Sequence, residues 1–286
     1  MNPHDHHPGD PHSLHPPGLE ERQFFQRTGV PLVELDNVTV NYGNTPVLQN
    51  LSLKIWPAQF MAIVGPNGGG KTSLLRTILG MVSPVTGKIR LRSAAGRRSA
   101  MWTVGYVPQL ETIDWNFPIT VKEVIAMGFF NKSRWFGGLD EKATRKLQDV
   151  MDRLNLTGLG GRHIRELSGG QQQAVFIGRA LLGDPELILL DEPVSGLDIR
   201  SRDDVIHFLH EINHQGVAIV ITAHDLNWVA AHLPWVVCLN RRFIAEGPPQ
   251  QIFNASVLTE TYSGEMVVFN HDGMVMIGER PHAAHN

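Results

Sequence analysis

Gly65-Pro66-Asn67-Gly68-Gly69-Gly70-Lys71-Thr72 fits the pattern G-x-x-x-x-G-K-[ST]. Before it stands Phe60-Met61-Ala62-Ile63-Val64, an apolar run suited to a buried strand; after it, Ser73-Leu74-Leu75-Arg76-Thr77-Ile78-Leu79 reads as a helix. Strand, glycine-rich turn and helix in that order make a phosphate-binding loop. The glycines let backbone N–H groups curl around phosphate oxygens, and the helix adds the positive end of its dipole. Lys71 is placed to reach the β- and γ-phosphates, and the Thr72 hydroxyl to meet Mg²⁺. A nucleoside triphosphate with Mg²⁺ is the expected ligand.

Working outward, the 286 residues carry Lys+Arg 25 against Asp+Glu 28, with no basic excess to support broad electrostatic binding to nucleic acid. The chain has one cysteine, Cys238, in the apolar run Trp235-Val236-Val237-Cys238-Leu239, where a buried strand thiol is expected and an internal disulfide is impossible. No stretch approaches the roughly 20 apolar residues of a membrane span, and the first residues have no signal-peptide core. A soluble, cytoplasmic chain is expected.

Residues 1–30 are dominated by His, Pro, Gly and Asp, a composition that predicts a disordered tail; its imidazoles suit either loose transition-metal binding or plain solvation. From Leu32 to Ile55 the text is β-like: Leu32–Leu35, Val38–Val40, Val47-Leu48 and Leu51–Ile55, with Gly43-Asn44 as turn. Tyr42, at the edge of that turn, suits stacking on a purine ring or covering an apolar edge. Strands at Lys88–Leu91 and Thr103–Val107 lead to Pro108-Gln109. Strands alternating with helices after residue 60 predict an α/β core with a largely parallel sheet.

Between Leu110 and Glu166 the pattern turns helical. Thr120 and Glu123 form a capping box, and Leu147, Val150, Met151 and Leu154 recur at helical spacing on one face. Between them lies an aromatic- and glycine-rich loop, Phe129–Gly138, which is costly to expose without a partner. Leu167-Ser168-Gly169-Gly170-Gln171 opens another helix; Ser168 is a natural N-cap, and the glycines allow an anion close to the helix start.

Leu187-Ile188-Leu189-Leu190 is an apolar strand run that ends in Asp191-Glu192-Pro193. Two carboxylates at the carboxyl end of a buried strand divide the work: Asp191 to hold Mg²⁺, Glu192 to polarise a water. A second such strand, Val217–Thr222, ends at Ala223-His224-Asp225, which places His224 for contact with a γ-phosphate.

With these motifs in hand, the chain from about Leu32 to Gly247 resembles the nucleotide-binding subunit of an ATP-binding-cassette transporter. Leu167–Gln171 matches the family's signature sequence. Tyr42 falls at its adenine-stacking aromatic, Gln109 at its Q-loop, Ser195-Gly196-Leu197-Asp198 at its D-loop and His224 at its switch histidine. The resemblance implies a P-loop NTPase (RecA-like) α/β core with an N-terminal antiparallel β subdomain and an inserted α-helical subdomain. The boundaries it implies are a tail over 1–30, the ATPase domain over 31–247 with its helical part at about 110–168, and an appendage over 248–286. It further implies a head-to-tail homodimer binding ATP and Mg²⁺. In that dimer Gly65, Pro66, Asn67, Gly68, Gly69, Gly70, Lys71, Thr72 and Ser73 of one chain face Ser168, Gly169, Gly170 and Gln171 of the other. Glu192 would be the general base, His224 the γ-phosphate contact, and Gln109 a contact to Mg²⁺ and the attacking water that relays closure to a membrane permease.

Ile113–Val121 is similar to the segment after the Q-loop in ATPases of manganese, zinc and iron importers. That likeness implies an extracytoplasmic metal-binding receptor as an indirect partner, and a place at the cytoplasmic face of the membrane, held through the permease. Trp115 and Phe117 suit either an anchor for the permease contact, which is the favoured reading, or a place in the core. Ala174 departs from the family's usual arginine, whereas Arg179 is present. His207, His210 and His214 share a helix face; the i, i+4 spacing of His210 and His214 could chelate a metal, but with no further ligand a solvated face is expected. An importer of an iron chelate or cobalamin, and a soluble cassette ATPase acting on ribosomes or DNA, are the alternatives. Past Gly247 the sequence predicts a short helix near Ile252 and a hairpin, Met266–Phe269 and Met274–Ile277, turned at Asp272-Gly273.

Overall fold

The computed structural model describes residues 29–92, 104–129, 139–271 and 274–279; the His/Pro-rich residues 1–28, the loop residues 130–138, the Asp272-Gly273 turn, His282 and His285 lie outside them. β1 (Val33–Tyr42) and β2 (Thr45–Ile55) form an antiparallel hairpin about Gly43-Asn44. The sequence suggests two short segments in each arm, yet each is one strand. Asn37 and Asn50 take left-handed backbone (φ 49 and 47), and the register shifts beside them. Their N–H groups donate across the hairpin, to Ser52 Oγ at 3.0 Å and to Thr39 Oγ1 at 3.1 Å. Bulges absorb the residues that look like breaks.

β3 (Phe60–Val64), α1 (Lys71–Ile78) and β4 (Thr86–Leu91) follow, and β4 returns to β1, giving a three-stranded antiparallel sheet in the order β2-β1-β4. After β5 (Val104–Val107) come the helices α2 (Val121–Ala126), α3 (Glu141–Arg153) and α4 (Gly169–Leu181). Then β6 (Leu187–Asp191), α5 (Ile199–His214), β7 (Ala218–Ala223), α6 (Leu226–His232), β8 (Trp235–Asn240) and β9 (Arg242–Gly247) complete the core. The second sheet runs β5-β6-β7-β3-β8-β9, parallel except for the antiparallel edge β9.

Period two along these strands sorts the core into two layers. Met61, Ile63, Leu187, Leu189, Val220, Val237 and Leu239 face α1 and the antiparallel sheet. Phe60, Ala62, Ile188, Leu190, Ile219, Ile221 and Cys238 face the helices of the opposite side. Strands covered on both faces read as unbroken apolar runs, which is how β3, β6 and β7 appear in the sequence.

The Thr120–Glu123 capping box forms as expected; hydrogen bonds from Thr120 hold the Glu123 carboxyl below the usual carboxylate range. Leu147, Val150 and Met151 of α3 are buried, with Leu154 just past its end. Beyond β9 the chain makes α7 (Pro249–Ile252), α8 (Ala255–Tyr262) and the hairpin of β10 (Met266–His271) and β11 (Met274–Glu279). The sequence reading anticipates the hairpin and a helix near Ile252 but not α8. Its Leu258 and Thr261 are buried, and Thr261 lies beside Cys238, whose thiol is pushed up to about 12 by burial. The cysteine is a structural, buried thiol, as its apolar run implies.

Candidate functional site

Four parallel strands end at one place, and each delivers a polar group there. β3 runs into the loop Gly65–Gly70, β5 into Gln109, β6 into Asp191-Glu192 and β7 into His224. Ligands of open α/β sheets bind at such carboxyl ends.

The loop is shaped by close approach. A Cβ on Gly65 would lie 1.9 Å from the Leu239 carbonyl oxygen. Gly70 caps α1 in left-handed backbone (φ 96), and a Cβ there would meet the Val47 carbonyl and Leu48 Cδ2, both at 2.7 Å. The loop is also tied from below: Arg241 N–H donates to Gly69 O at 2.8 Å, and Gly69 N–H to Pro66 O at 3.0 Å. Asn67 and Gly68 form its exposed tip. Lys71 is nearly buried, and its ammonium donates to Gly65 O at 2.8 Å and Pro66 O at 3.1 Å. Burial lowers its pKa, opposed by the nearby charges of Glu192 and Asp191.

Facing the loop, Asp191 is buried at the end of β6 and accepts from Thr72 Oγ1 at 3.2 Å and from Thr222 Oγ1 at 2.6 Å. Thr222 also accepts the Glu192 N–H at 2.9 Å. That bond holds a residue in an uncommon state, since Glu192 has φ 50, a left-handed backbone that costs a non-glycine residue about 1–3 kcal/mol. The turn sets Glu192 Oε2 3.4 Å from Gln109 Nε2, which donates, and 3.6 Å from His224 Nδ1. A hydroxyl, a buried carboxylate and a carboxamide, with Thr72 and Asp191 already converging, form a hard oxygen set that fits Mg²⁺.

The structure thus brings together the phosphate loop, Lys71, Thr72, Gln109, Asp191, Glu192 and His224. Ser73 follows as a half-buried residue of α1. Tyr42 stands 45% exposed at the end of β1, on the hairpin whose β2 residues Val47 and Leu48 abut Gly70. The signature residues gather at the start of α4 instead. Ser168 Oγ accepts the Gln171 N–H at 3.4 Å and the Gln171 carboxamide oxygen accepts the Ser168 N–H at 3.1 Å. The Gln171 side chain is therefore committed to this reciprocal cap. Gly169 and Gly170 lie against the D-loop and α5, where added Cβ atoms would meet Leu197 Cδ2 at 3.1 Å and Ser201 Oγ at 2.8 Å.

Thr222 is the site residue the sequence reading missed: it is the one hydroxyl of an otherwise apolar buried strand, and its partners come from the neighbouring β6 and the residue that follows it. Trp115 is half-buried and packs against the core with its ring edge-to-face on Phe176 at 6.3 Å, whereas Phe117 is 61% exposed. The reading of the α5 histidines is corrected in part. His207 and His214 are exposed as expected, but His210 packs edge-to-face on Phe60 at 4.9 Å with its Nε2 3.2 Å from His232 O. Among the described residues no cluster of three His, Cys, Asp or Glu side chains could hold a metal. Ala174 packs against the core, and Arg179 supports α4 by donating to Tyr106 O at 3.1 Å and stacking over Phe176 at 4.8 Å.

Residues 48–195 match the family model described as ABC transporter. The manganese transport system ATP-binding protein MntB of Halalkalibacterium halodurans is 35% identical over 86% of this chain and 98% of its own length. The zinc transport system ATP-binding protein TroB of Treponema pallidum is 33% identical over 82% of this chain and 88% of its own. Among solved structures, a chain of an inward-facing ABC transporter assigned to the metal-chelate type superposes with TM-score 0.74 and 28% identity, covering 87% of this chain and 96% of that one. Phosphate loop, strand-end carboxylates and signature helix, with these likenesses over most of the chain, establish that the protein belongs to the ATP-binding family of ABC transporters.

Proposed function

We propose that this chain hydrolyses ATP to drive import of a transition metal, manganese, zinc or iron, through a separate membrane permease. The observation that carries the chemistry is Glu192. Its strained backbone aims Oε2 between Gln109 and His224, beside Lys71 and the Thr72–Asp191 pair. The cargo rests on relatives named for manganese and zinc transport. Import of a metal chelate is the second reading, favoured by the structural neighbour of that type.

In this reading the loop N–H groups and Lys71 bind the phosphates, Tyr42 stacks on the adenine, and Thr72, Asp191 and Gln109 hold Mg²⁺. That ion, when bound, neutralises charge on the β- and γ-phosphate oxygens. Glu192 accepts the proton of the attacking water at its carboxylate, Gln109 orients that water, and His224 contacts the γ-phosphate. Phosphoryl transfer of this kind is mainly positioning and charge stabilisation, so small displacements of these groups lower turnover more than nucleotide affinity.

Ser168 and Gly170 of a second copy complete each site in a head-to-tail homodimer; their place on α4, capped within their own helix, supports this arrangement. Phe117, exposed on the segment before α2, docks on the permease. No helix among the described residues is long and apolar enough to cross a membrane, which fits peripheral attachment at the cytoplasmic face, with the metal-binding receptor reached only through the permease. We take residues 31–247 as the cassette and 248–286 as an appendage to it.

The test is Glu192→Gln. It is expected to bind ATP as the parent does while losing nearly all turnover and accumulating a closed dimer. Parent-like hydrolysis by the variant removes Glu192 as the base.

A further inference from the structure

The C-terminal hairpin has no part in the reaction so far described, yet it holds the helix that follows His224. α6 spans Leu226–His232, only seven residues, and starts after the cap Asp225, whose Oδ1 accepts the Trp228 N–H at 3.0 Å. A helix this short does not persist by itself and takes its position from what it packs on. A two-stranded hairpin is equally marginal alone.

The two pack together, and one side chain hydrogen-bonds them. Asn227 Nδ2 donates to Ile277 O at 3.0 Å, and Asn227 Oδ1 accepts the Ile277 N–H at 2.8 Å. The carboxamide thus bonds both backbone groups of Ile277, as a residue of a neighbouring strand would. Behind this contact Met266, Val268, Val275 and Ile277 pack on the core of the helical side. α8, the helix before the hairpin, reaches the other half of the site: Tyr262 is half-buried, with its hydroxyl shielded from solvent beside the Gly65 backbone. Two further ties fix the ends of α6, Arg202 Nη1 at 3.7 Å from Asp225 Oδ2 and His210 Nε2 at 3.2 Å from His232 O. The Asn227 tie is the one that joins α6 to β11 by side-chain hydrogen bonds.

We propose that the hairpin β10-β11 is a built-in brace for the switch segment, and that Asn227 is a positioning residue that acts through His224. The proposal rests on the reading of His224 as a γ-phosphate contact. With the tie intact, α6 holds a fixed place and His224 stands 3.6 Å from Glu192 before nucleotide arrives. Without it, the segment samples other positions, and the cost falls on turnover rather than on binding, because the phosphate loop is anchored elsewhere, to Arg241 and Leu239.

The test uses the full chain with MgATP. Asn227→Ala is expected to lower kcat about three- to tenfold, the scale of losing one or two modest hydrogen bonds, with KM and nucleotide affinity changed by less than about twofold. Asn227→Asp, which keeps the acceptor and loses the donor, falls between. Amide exchange over residues 224–232 quickens in Asn227→Ala while that of β3 and β6 stays unchanged. In a His224→Ala background, Asn227→Ala causes no further loss of kcat. Parent-like kcat in Asn227→Ala, or the same fold-loss with and without His224, overturns the brace and leaves the His224 reading standing. If His224→Ala itself turns over normally, the γ-phosphate reading fails and the brace fails with it.

Discussion

Thr222 carries a larger share of the site than its size suggests, and Thr222→Val measures it. The side chain is fully buried; its hydroxyl donates to Asp191 Oδ1 at 2.6 Å and accepts the Glu192 N–H at 2.9 Å. Valine keeps the branched shape and removes both bonds. Loss of the bond to the buried carboxylate costs about 1.5–3 kcal/mol, and the stranded Glu192 N–H about 1–3 kcal/mol more. The two losses share one hydroxyl and do not add fully, so about 2–4 kcal/mol of stability is expected to go. Glu192 also loses the bond that holds its left-handed turn, and kcat should fall by about ten- to a hundredfold, consistent with a carboxylate displaced by less than an ångström. Urea unfolding with an unchanged slope and a lower midpoint reads the first effect, and steady-state ATP hydrolysis reads the second. Thr222→Ser restores both bonds and should recover most of each. A valine variant with parent stability and parent kcat would refute the reasoning.

Gly70→Ala introduces a side chain at φ 96, where its Cβ meets the Val47 carbonyl at 2.7 Å; a stability loss of at least about 1–3 kcal/mol and a marked loss of ATP affinity are expected. Equilibrium titration with a fluorescent nucleotide checks it, and parent affinity would count against the loop geometry. His210 has its pKa lowered from 6.5, mainly by burial against α6 and Phe60. The unfolded chain therefore binds more protons below that value, so stability is full above about 6.5 and declines as pH falls toward the lower folded value. His210→Gln should flatten that decline in unfolding midpoints measured between pH 7.5 and 5.5, values chosen to bracket about 6.5; an unaltered profile assigns the dependence to other groups.

What could be read from sequence was whatever chemistry or steric necessity writes into residue type. Only glycines fit the loop at Gly65 and Gly70, and only a carboxylate pair after an apolar strand explains Asp191-Glu192. The capping box at Thr120 and the N-cap at Ser168 were legible for the same reason, since a cap names its own residues. Features fixed by tertiary context were not legible. Asn37 and Asn50 look like turn residues, and only the partner strand shows that they are bulges. Trp115 is an anchor or a core ring depending on whether Phe176 is across from it. The positive φ of Glu192 and the double role of Thr222 leave no periodic trace, because one hydroxyl in a buried strand acquires meaning only from the neighbouring strand. The exposed and packed members of the α5 histidine set differ by Phe60, far away in sequence.

The most direct test of the central claim is cellular manganese, zinc and iron content in the source organism with this gene deleted, restored, or restored as Glu192→Gln. The account predicts that one of these metals falls on deletion under metal limitation and recovers with the parent gene but not with the variant. If none of the three changes, or if the variant restores uptake as well as the parent, the claim that this chain powers metal import through Glu192 is contradicted.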